Sequence, residues 1–313
     1  KTAYEIVSRD WSSDVSLPIF QGMEAHHRSA ASILSWFRFI PDARLDDLMI
    51  SIAGIGGGVG PHFDSYDVFL IQMSGRRQWR ISTQKDLSLN PKLPLKILQK
   101  FQCEQEWILE PGDMLYLPPH VAHDGIALDP GCQTWSVGFR SPSFKELLQE
   151  GLWRLAESLE DIGDLEKKYA DPKQLATHNA EQLPKELVSQ LSDKLASLKL
   201  HQPEAFLSGI TAYLSEPKQQ AWFNGPQKPL SAHSFQAKLS TATLLPNVNT
   251  RILSLGKRVF CNGEEVSKKQ PIDITKAWLE LSAKKRLSKC SIKNAAKSSL
   301  YEAYIAGWLI FED

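Results

Sequence analysis

The chain has 313 residues and carries 36 Lys and Arg against 36 Asp and Glu, so its net charge of +0 selects neither a polyanionic nor a polycationic partner. Four cysteines, Cys103, Cys132, Cys261 and Cys290, stand far apart with no Cys-x-x-Cys spacing. This argues against a zinc knuckle or a disulfide framework and for a reducing compartment, read as the cytoplasm. No run of about 18 apolar residues occurs, and no signal peptide is visible, so no membrane span is expected.

Residues 1–22 show no clear pattern. Residues 23–38 read as a helix with Ile33, Leu34, Trp36 and Phe37 toward the core, ended by Pro41-Asp42. His26 and His27 are adjacent there and so do not share a helical face, which makes them surface or cap residues. Residues 48–53 form an apolar strand, followed by Gly56-Gly57-Gly58, a run that lets the backbone turn sharply or approach a ligand. Then comes His62-Phe63-Asp64. Side chains of a strand alternate, so His62 and Asp64 would share one face. A second alternating segment places Arg77, Trp79 and Ile81 together, and the intervening turn Met73-Ser74-Gly75-Arg76 predicts a hairpin. Residues 84–100, with Pro91 and Pro94, read as a loop with a short helix. Residues 107–110 and 114–117 are strands, and 133–140 alternate and close the sheet. Many short strands with Gly and Pro turns predict a double-stranded β-helix, a jelly roll of the cupin kind.

An imidazole and a carboxylate on one face make two-thirds of a 2-His-1-carboxylate metal site, which leaves open positions for further ligands. The third donor is His123, 61 positions after His62 in the run PGDMLYLPPHVAHDG. Its rival, His120, directly follows Pro118-Pro119, which favours an exposed turn, whereas His123 leads into Asp124-Gly125 and an apolar strand. His-x-Asp alone is a weak signal. The glycine run, the second histidine and a cation at +15, Arg77, raise it together.

The segments DDLMIS, GGGVGPHFDSYDVFLIQ, GRRQWRI, LEPGDMLYLPPHVAHDG and TWSVGFRSP resemble the JmjC-type 2-oxoglutarate oxygenases of the ribosomal oxygenase family, in particular its bacterial YcfD-like branch. The strong match covers residues 45–142. The resemblance implies Fe(II) held by His62, Asp64 and His123, with 2-oxoglutarate as cosubstrate and O2 at the remaining position. Arg77 would anchor the far carboxylate of 2-oxoglutarate as a bidentate, charge-assisted pair. Thr134 matches in position a polar residue that the family uses near the cosubstrate, where an asparagine is expected. The implied activity is that of a 2-oxoglutarate-dependent dioxygenase hydroxylating an arginine of large-subunit ribosomal protein L-sixteen. Asp46, Asp47, Tyr66 and Asp67 near the mouth would hold a guanidinium by ion pairing and stacking.

The character changes at Ser141-Pro142-Ser143. Residues 144–169 read as a helix with Leu147, Leu148, Leu152, Leu155 and Leu159 at helical spacing. A second helix starts at Pro184 with Leu187, Leu191, Leu195 and Leu198 on one face, and a third spans 203–214. These faces lack sheet partners, and the resemblance assigns the region to homodimerisation. Further on, RILSLGKRVFCNGEEV is a hairpin turning at Asn262-Gly263. Helices at 274–282 and 292–304 and an apolar run at 307–311 complete a unit resembling a winged helix. Residues 250–313 carry 12 Lys and Arg against 7 Asp and Glu, without interleaved aromatic groups, and are read as a solvated face with no nucleic-acid contact.

The resulting expectation is an α+β chain. It has a JmjC catalytic domain at 1–142, a helical dimerisation domain at 143–214 and a winged-helix-like domain at 215–313. The first lacks its N-terminal part, since the chain begins at Lys1 and the family carries more sequence before this region. Two alternatives remain: a metal-binding cupin-type protein without 2-oxoglutarate turnover, and a ribosome- or RNA-binding module. A buried Arg77 disfavours the first, because it has no use without an anionic cosubstrate. An intact triad disfavours the second.

Overall fold

Apolar side chains recurring every second residue build two facing antiparallel sheets in the first half of the chain, because each strand must bury one face or both. The structure is a computed structural model that describes residues 17–157, 168, 170, 182–197, 203–219 and 221–312. It comprises two compact units, Lys1–Ser141 and Pro142–Asp313.

In the first unit the elements are β1 (Ile19–Phe20), α1 (Arg28–Trp36), β2 (Leu45–Ala53), β3 (Val68–Ser74), β4 (Arg77–Ser82), β5 (Gln105–Leu109), β6 (Met114–Leu117), β7 (Ala122–Ala127) and β8 (Cys132–Phe139). The larger sheet runs β1-β2-β8-β3-β6 and the smaller β5-β4-β7, the two-sheet arrangement of a jelly roll. Between them lie Val68, Leu70 and Leu117 from one sheet and Trp79, Ile81 and Leu109 from the other. The outer face of the larger sheet buries Leu48, Ile50, Trp135, Val137 and Phe139 against Ala30, Ile33 and Phe37. Each such side chain contributes roughly 1.5–3 kcal/mol on leaving water.

Three local expectations are corrected. First, β3 and β4 do not form a hairpin. The turn between them carries the chain from one sheet to the other, so β3 pairs with β8 and β6, and β4 pairs with β5 and β7. Second, residues 84–100 hold no helix; Leu89 and Leu98 meet in an isolated β-bridge. Third, the buried stripe of α1 and its cap is Ala30, Ile33 and Phe37, spaced i, i+3 and i+7, which leaves Trp36 on the flank and 65% exposed.

The second unit contains α2 (Phe144–Glu157), α3 (Lys185–Ser197), α4 (Pro203–Leu214), α5 (Ala232–Leu239), β9 (Leu244–Pro246), β10 (Ile252–Leu255), β11 (Arg258–Cys261), β12 (Glu264–Glu265), α6 (Ile272–Lys284), α7 (Ser299–Ile305) and β13 (Leu309–Phe311). The expected hairpin is a three-stranded meander. Asn262-Gly263 turns β11 into β12, and Gly256-Lys257 makes the earlier turn. The last helix is shorter than expected and begins at Ser299. The apolar run pairs β13 with β9. Leu159, Tyr169 and Leu198, and residues 1–16, lie outside the described residues. Among the described residues no helix is long and apolar enough to cross a membrane.

Candidate metal centre

The loop that carries His62 is laid along β7 by its glycines. Gly56 donates its N–H to the Ala127 carbonyl (2.8 Å), and Ala127 donates back to the Gly57 carbonyl (2.9 Å). At Gly58 a Cβ would stand only 2.3 Å from the Gly125 carbonyl oxygen, so only glycine permits this approach. The loop then closes on β7 by two reciprocal bonds, His62 N–H to the His123 carbonyl (2.9 Å) and His123 N–H to the His62 carbonyl (2.8 Å). His62 therefore sits in an isolated bridge rather than in a regular strand, a correction to the alternation argument. The outcome for the donors is nonetheless the expected one. Metal-ligating atoms of His62, Asp64 and His123 all lie within 4.8 Å of one another.

Both imidazoles are oriented in the same way. His62 Nδ1 lies 2.8 Å from the Gly60 carbonyl and His123 Nδ1 2.9 Å from the Val121 carbonyl. A carbonyl only accepts, so each Nδ1 carries a proton, which leaves Nε2 as the ring nitrogen able to act as a ligand. Burial, and then the neighbouring His62, push His123 from 6.5 down to about 4, so it is neutral at pH 7. Its Nε2 is 3.8 Å from the Asp64 carboxylate. Two imidazoles and a carboxylate, with backbone partners behind both rings, form a donor set suited to a divalent transition metal. His120 is outside this group. It adopts a left-handed φ of 64° and donates its backbone N–H to the Asp64 carbonyl at 2.7 Å, thereby fixing the neighbouring loop.

Arg77, Trp79 and Ile81 stand opposite Ala127, Gly125 and His123 across β4 and β7, so all six residues share the face turned toward the larger sheet. Trp79 is placed between cation and ligand: its ring is 5.8 Å from the Arg77 guanidinium carbon and 5.9 Å from the His123 ring. Arg77 is 3% exposed, and its Nε and Nη2 have no hydrogen-bond partner among the described residues. A buried guanidinium in that state fits an anionic ligand. Arg76, by contrast, points outward to Asp129.

Other expected site residues are already engaged. The Asp67 carboxylate takes Arg44 at 3.0 Å and the Tyr116 hydroxyl at 2.7 Å. Asp46 faces Arg140, and Asp47 is buried and accepts the Gly22 N–H at 3.0 Å. These acids are tied into the rim and do not stand free for a guanidinium. Thr134 is buried on β8 with its hydroxyl on the Gln72 side-chain oxygen at 2.9 Å. Gln72 was not foreseen from the sequence. The available signal was the alternation that puts it on the inward face with Val68 and Leu70.

Comparison with known proteins agrees with this geometry. The JmjC domain family matches residues 32–147, and the AraC-like ligand binding domain family matches residues 99–203. The ribosomal protein uL16 3-hydroxylase of Escherichia coli K12 is 35% identical over 254 residues, which are 79% of this chain and 65% of that protein. A probable ribosomal oxygenase of Haemophilus influenzae is 36% identical over 133 residues, 42% of this chain and 33% of that protein. This chain therefore spans less than two-thirds of the length of either relative. The crystal structure of the E. coli ribosomal oxygenase YcfD superposes with a TM-score of 0.73 at 30% identity, covering 96% of this chain and 80% of that one. A structure of YcfD in complex with cobalt and 2-oxoglutarate gives 0.74 at 29% identity, covering 100% and 82%.

Proposed function

The chain belongs to the JmjC-domain ribosomal oxygenases, and on that premise we propose that it is an Fe(II)- and 2-oxoglutarate-dependent protein hydroxylase. One observation carries the reading: His123, clustered with His62 and Asp64, shares a sheet face with a buried guanidinium that lacks an acceptor among the described residues. A cupin that only stores a metal has no use for that cation.

His62 Nε2, His123 Nε2 and an Asp64 oxygen would hold the iron. Arg77 would pair with the far carboxylate of 2-oxoglutarate, whose other end belongs at the metal. Fe(II) with 2-oxoglutarate and O2 supplies the oxidising power that converts a substrate C–H to C–OH, with release of succinate and CO2. The chain's own residues arrange that chemistry. The Gly60 and Val121 carbonyls fix the two ligand tautomers, Asp64 offsets charge, and Trp79 with the apolar groups around it keeps water from the lumen.

The substrate proposed is large-subunit ribosomal protein L-sixteen, by analogy with the E. coli uL16 3-hydroxylase, and the side chain is the arginine that the sequence resemblance implies. Incubation with that protein, Fe(II), 2-oxoglutarate and O2 is expected to add one oxygen atom to an arginine-containing peptide and to release succinate in equal amount. Stoichiometric metal binding without succinate formation on any ribosomal protein would favour the storage-type cupin.

The protein is read as a cytoplasmic homodimer, with residues 143–214 as dimerisation domain and 215–313 as a winged-helix-like domain whose basic excess is solvated. Support comes from α2 and α3, which expose Leu148, Leu152 and Trp153 and Leu191 and Leu195 respectively. Exposed leucines at helical spacing on two helices fit a face covered by a second copy of the chain. Light scattering at micromolar concentration is expected to give twice the chain mass, and Leu152→Glu with Leu191→Glu to halve it. A monomeric parent would remove this part of the proposal.

A further inference from the structure

Gln72, near the end of β3, is 0% exposed, yet it spends every polar group it has. Its Oε1 accepts the Thr134 hydroxyl at 2.9 Å. Its Nε2 donates to the carbonyls of Ser74 (2.9 Å) and Gly75 (2.8 Å), with the Cys132 sulfur 3.2 Å away. Two carbonyl acceptors fix which end of the amide is nitrogen, so the oxygen must face Thr134. Ser74 and Gly75 are the crossover from the larger sheet to the smaller, and Arg77 is the first residue after it in β4. Gly75 takes a φ of 62°, which frees the turn to be sharp and leaves its direction to be set by its partners. On its outer side the turn is held by Asp129, which accepts from the Arg76 backbone at 2.9 Å and from Arg76 Nε at 3.0 Å. On its inner side Gln72 grips the Ser74 and Gly75 carbonyls, and the buried Cys132 thiol donates to the Arg76 carbonyl at 3.4 Å.

We infer that Gln72 is a positioning residue for Arg77 and that Thr134 acts through Gln72 rather than by touching the cosubstrate. A hydroxyl has one hydrogen, and that of Thr134 is committed to Gln72, so it has none left to donate to a carboxylate. Gln72 in turn holds the carbonyl two residues before Arg77, which sets where β4 starts and where the guanidinium enters the lumen. A buried amide tolerates no half-made set of bonds, so the network has one arrangement and Arg77 one launching point. The inference rests on Arg77 being the carboxylate anchor proposed above.

Calorimetric titration of the Mn(II)-loaded protein with 2-oxoglutarate tests it, with thermal melting and Mn(II) affinity as controls. Gln72→Met keeps the length and removes the hydrogen bonds. It is expected to weaken 2-oxoglutarate binding about 10-fold, the scale of one or two lost hydrogen bonds, and to leave Mn(II) affinity unchanged. Thr134→Val should weaken it by about 3-fold or less, with Thr134→Ser restoring the parent value. Adding Thr134→Val to Gln72→Met, or Gln72→Met to Arg77→Ala, should bring no further loss, because each acts through the next. Should Gln72→Met not fold, Gln72→Asn serves, since an amide one methylene shorter cannot reach both Thr134 and the turn. Thr134→Val that matches or adds to the Gln72 variant would overturn the inference by placing the hydroxyl on the cosubstrate. Parent-like binding in the Gln72 variant would overturn it too. If Arg77→Ala itself binds 2-oxoglutarate like the parent, the anchor assignment has failed rather than the role of Gln72.

Discussion

Alanine at His62, Asp64 or His123 is expected to lower turnover by at least about 1000-fold and to abolish stoichiometric Fe(II) binding. Loss of a partner behind a metal ligand already costs roughly 10- to 100-fold, and here the ligand itself would go from a set of three with no substitute. Among the described residues nothing joins the cluster to replace it: His120 is exposed and lies outside the group, and Asp124 is spent on Arg80 on the opposite face of β7. Metal content after dialysis and Co(II) absorption read the binding directly. His120→Gly is the control, because it keeps the backbone bond to Asp64 and relieves the positive φ; it should retain metal. Undiminished activity in any of the three alanine variants would end the oxygenase reading.

Arg77→Ala is expected to raise the dissociation constant for 2-oxoglutarate at least ~30-fold while metal binding stays intact. Losing one side of a buried, hydrogen-bonded charge pair costs about 2–5 kcal/mol, or roughly 30- to 5000-fold. Arg77→Lys should fall between, since an ammonium keeps the charge and loses the planar fork. The same residue makes an opposite prediction for stability. Without an anion the guanidinium is buried with Nε and Nη2 unpaired, which is a cost to the fold. Arg77→Met, similar in volume and uncharged, should therefore melt higher than the parent when 2-oxoglutarate is absent, and excess 2-oxoglutarate should narrow or reverse that gap. A lower melting point for the methionine variant without ligand would mean that Arg77 has a structural partner.

The parts of this architecture that could be read in the sequence are those set by local periodicity. Alternation locates β4 and β8 nearly to the residue, whereas it puts the first strand of the expected hairpin at His62 and Asp64 and does not delimit β3 itself. The motif and the family resemblance together single out His62, Asp64, His123 and Arg77 as candidates. The strand partners could not be read in this way. The turn at Gly75 looks like a hairpin turn because its chemistry is that of one, but β3 finds its neighbour in β8 and β4 finds its own in β7, both from beyond residue 120. Gln72 sits in the run Phe69-Leu70-Ile71-Gln72-Met73, where a lone polar residue reads as the end of a strand. Its role depends on Thr134, 62 positions away. Likewise Asp46 and Asp67 look free until Arg140 and Arg44 are brought to them by the β2–β8 pairing and the rim. Trp36 is apolar, but it lies 100° around the helix from its buried neighbour, and composition alone cannot assign it a side.

The bridge between His62 and His123 has a kinetic side. It joins residues 61 apart, and it lies along the same edge as β7, whose own partner β4 comes from more than 40 residues upstream. Contacts so distant along the chain are closed late, after their loop entropy has been met by other pairings. The two imidazoles are therefore expected to become neighbours only when the barrel shuts. An ion captured afterwards has contributed nothing to the route by which the chain arrived. What an ion held by the pair would change is the way back: opening the barrel would have to part His123 from His62 and from the metal together, so metal-loaded protein is expected to unfold more slowly than the apo form.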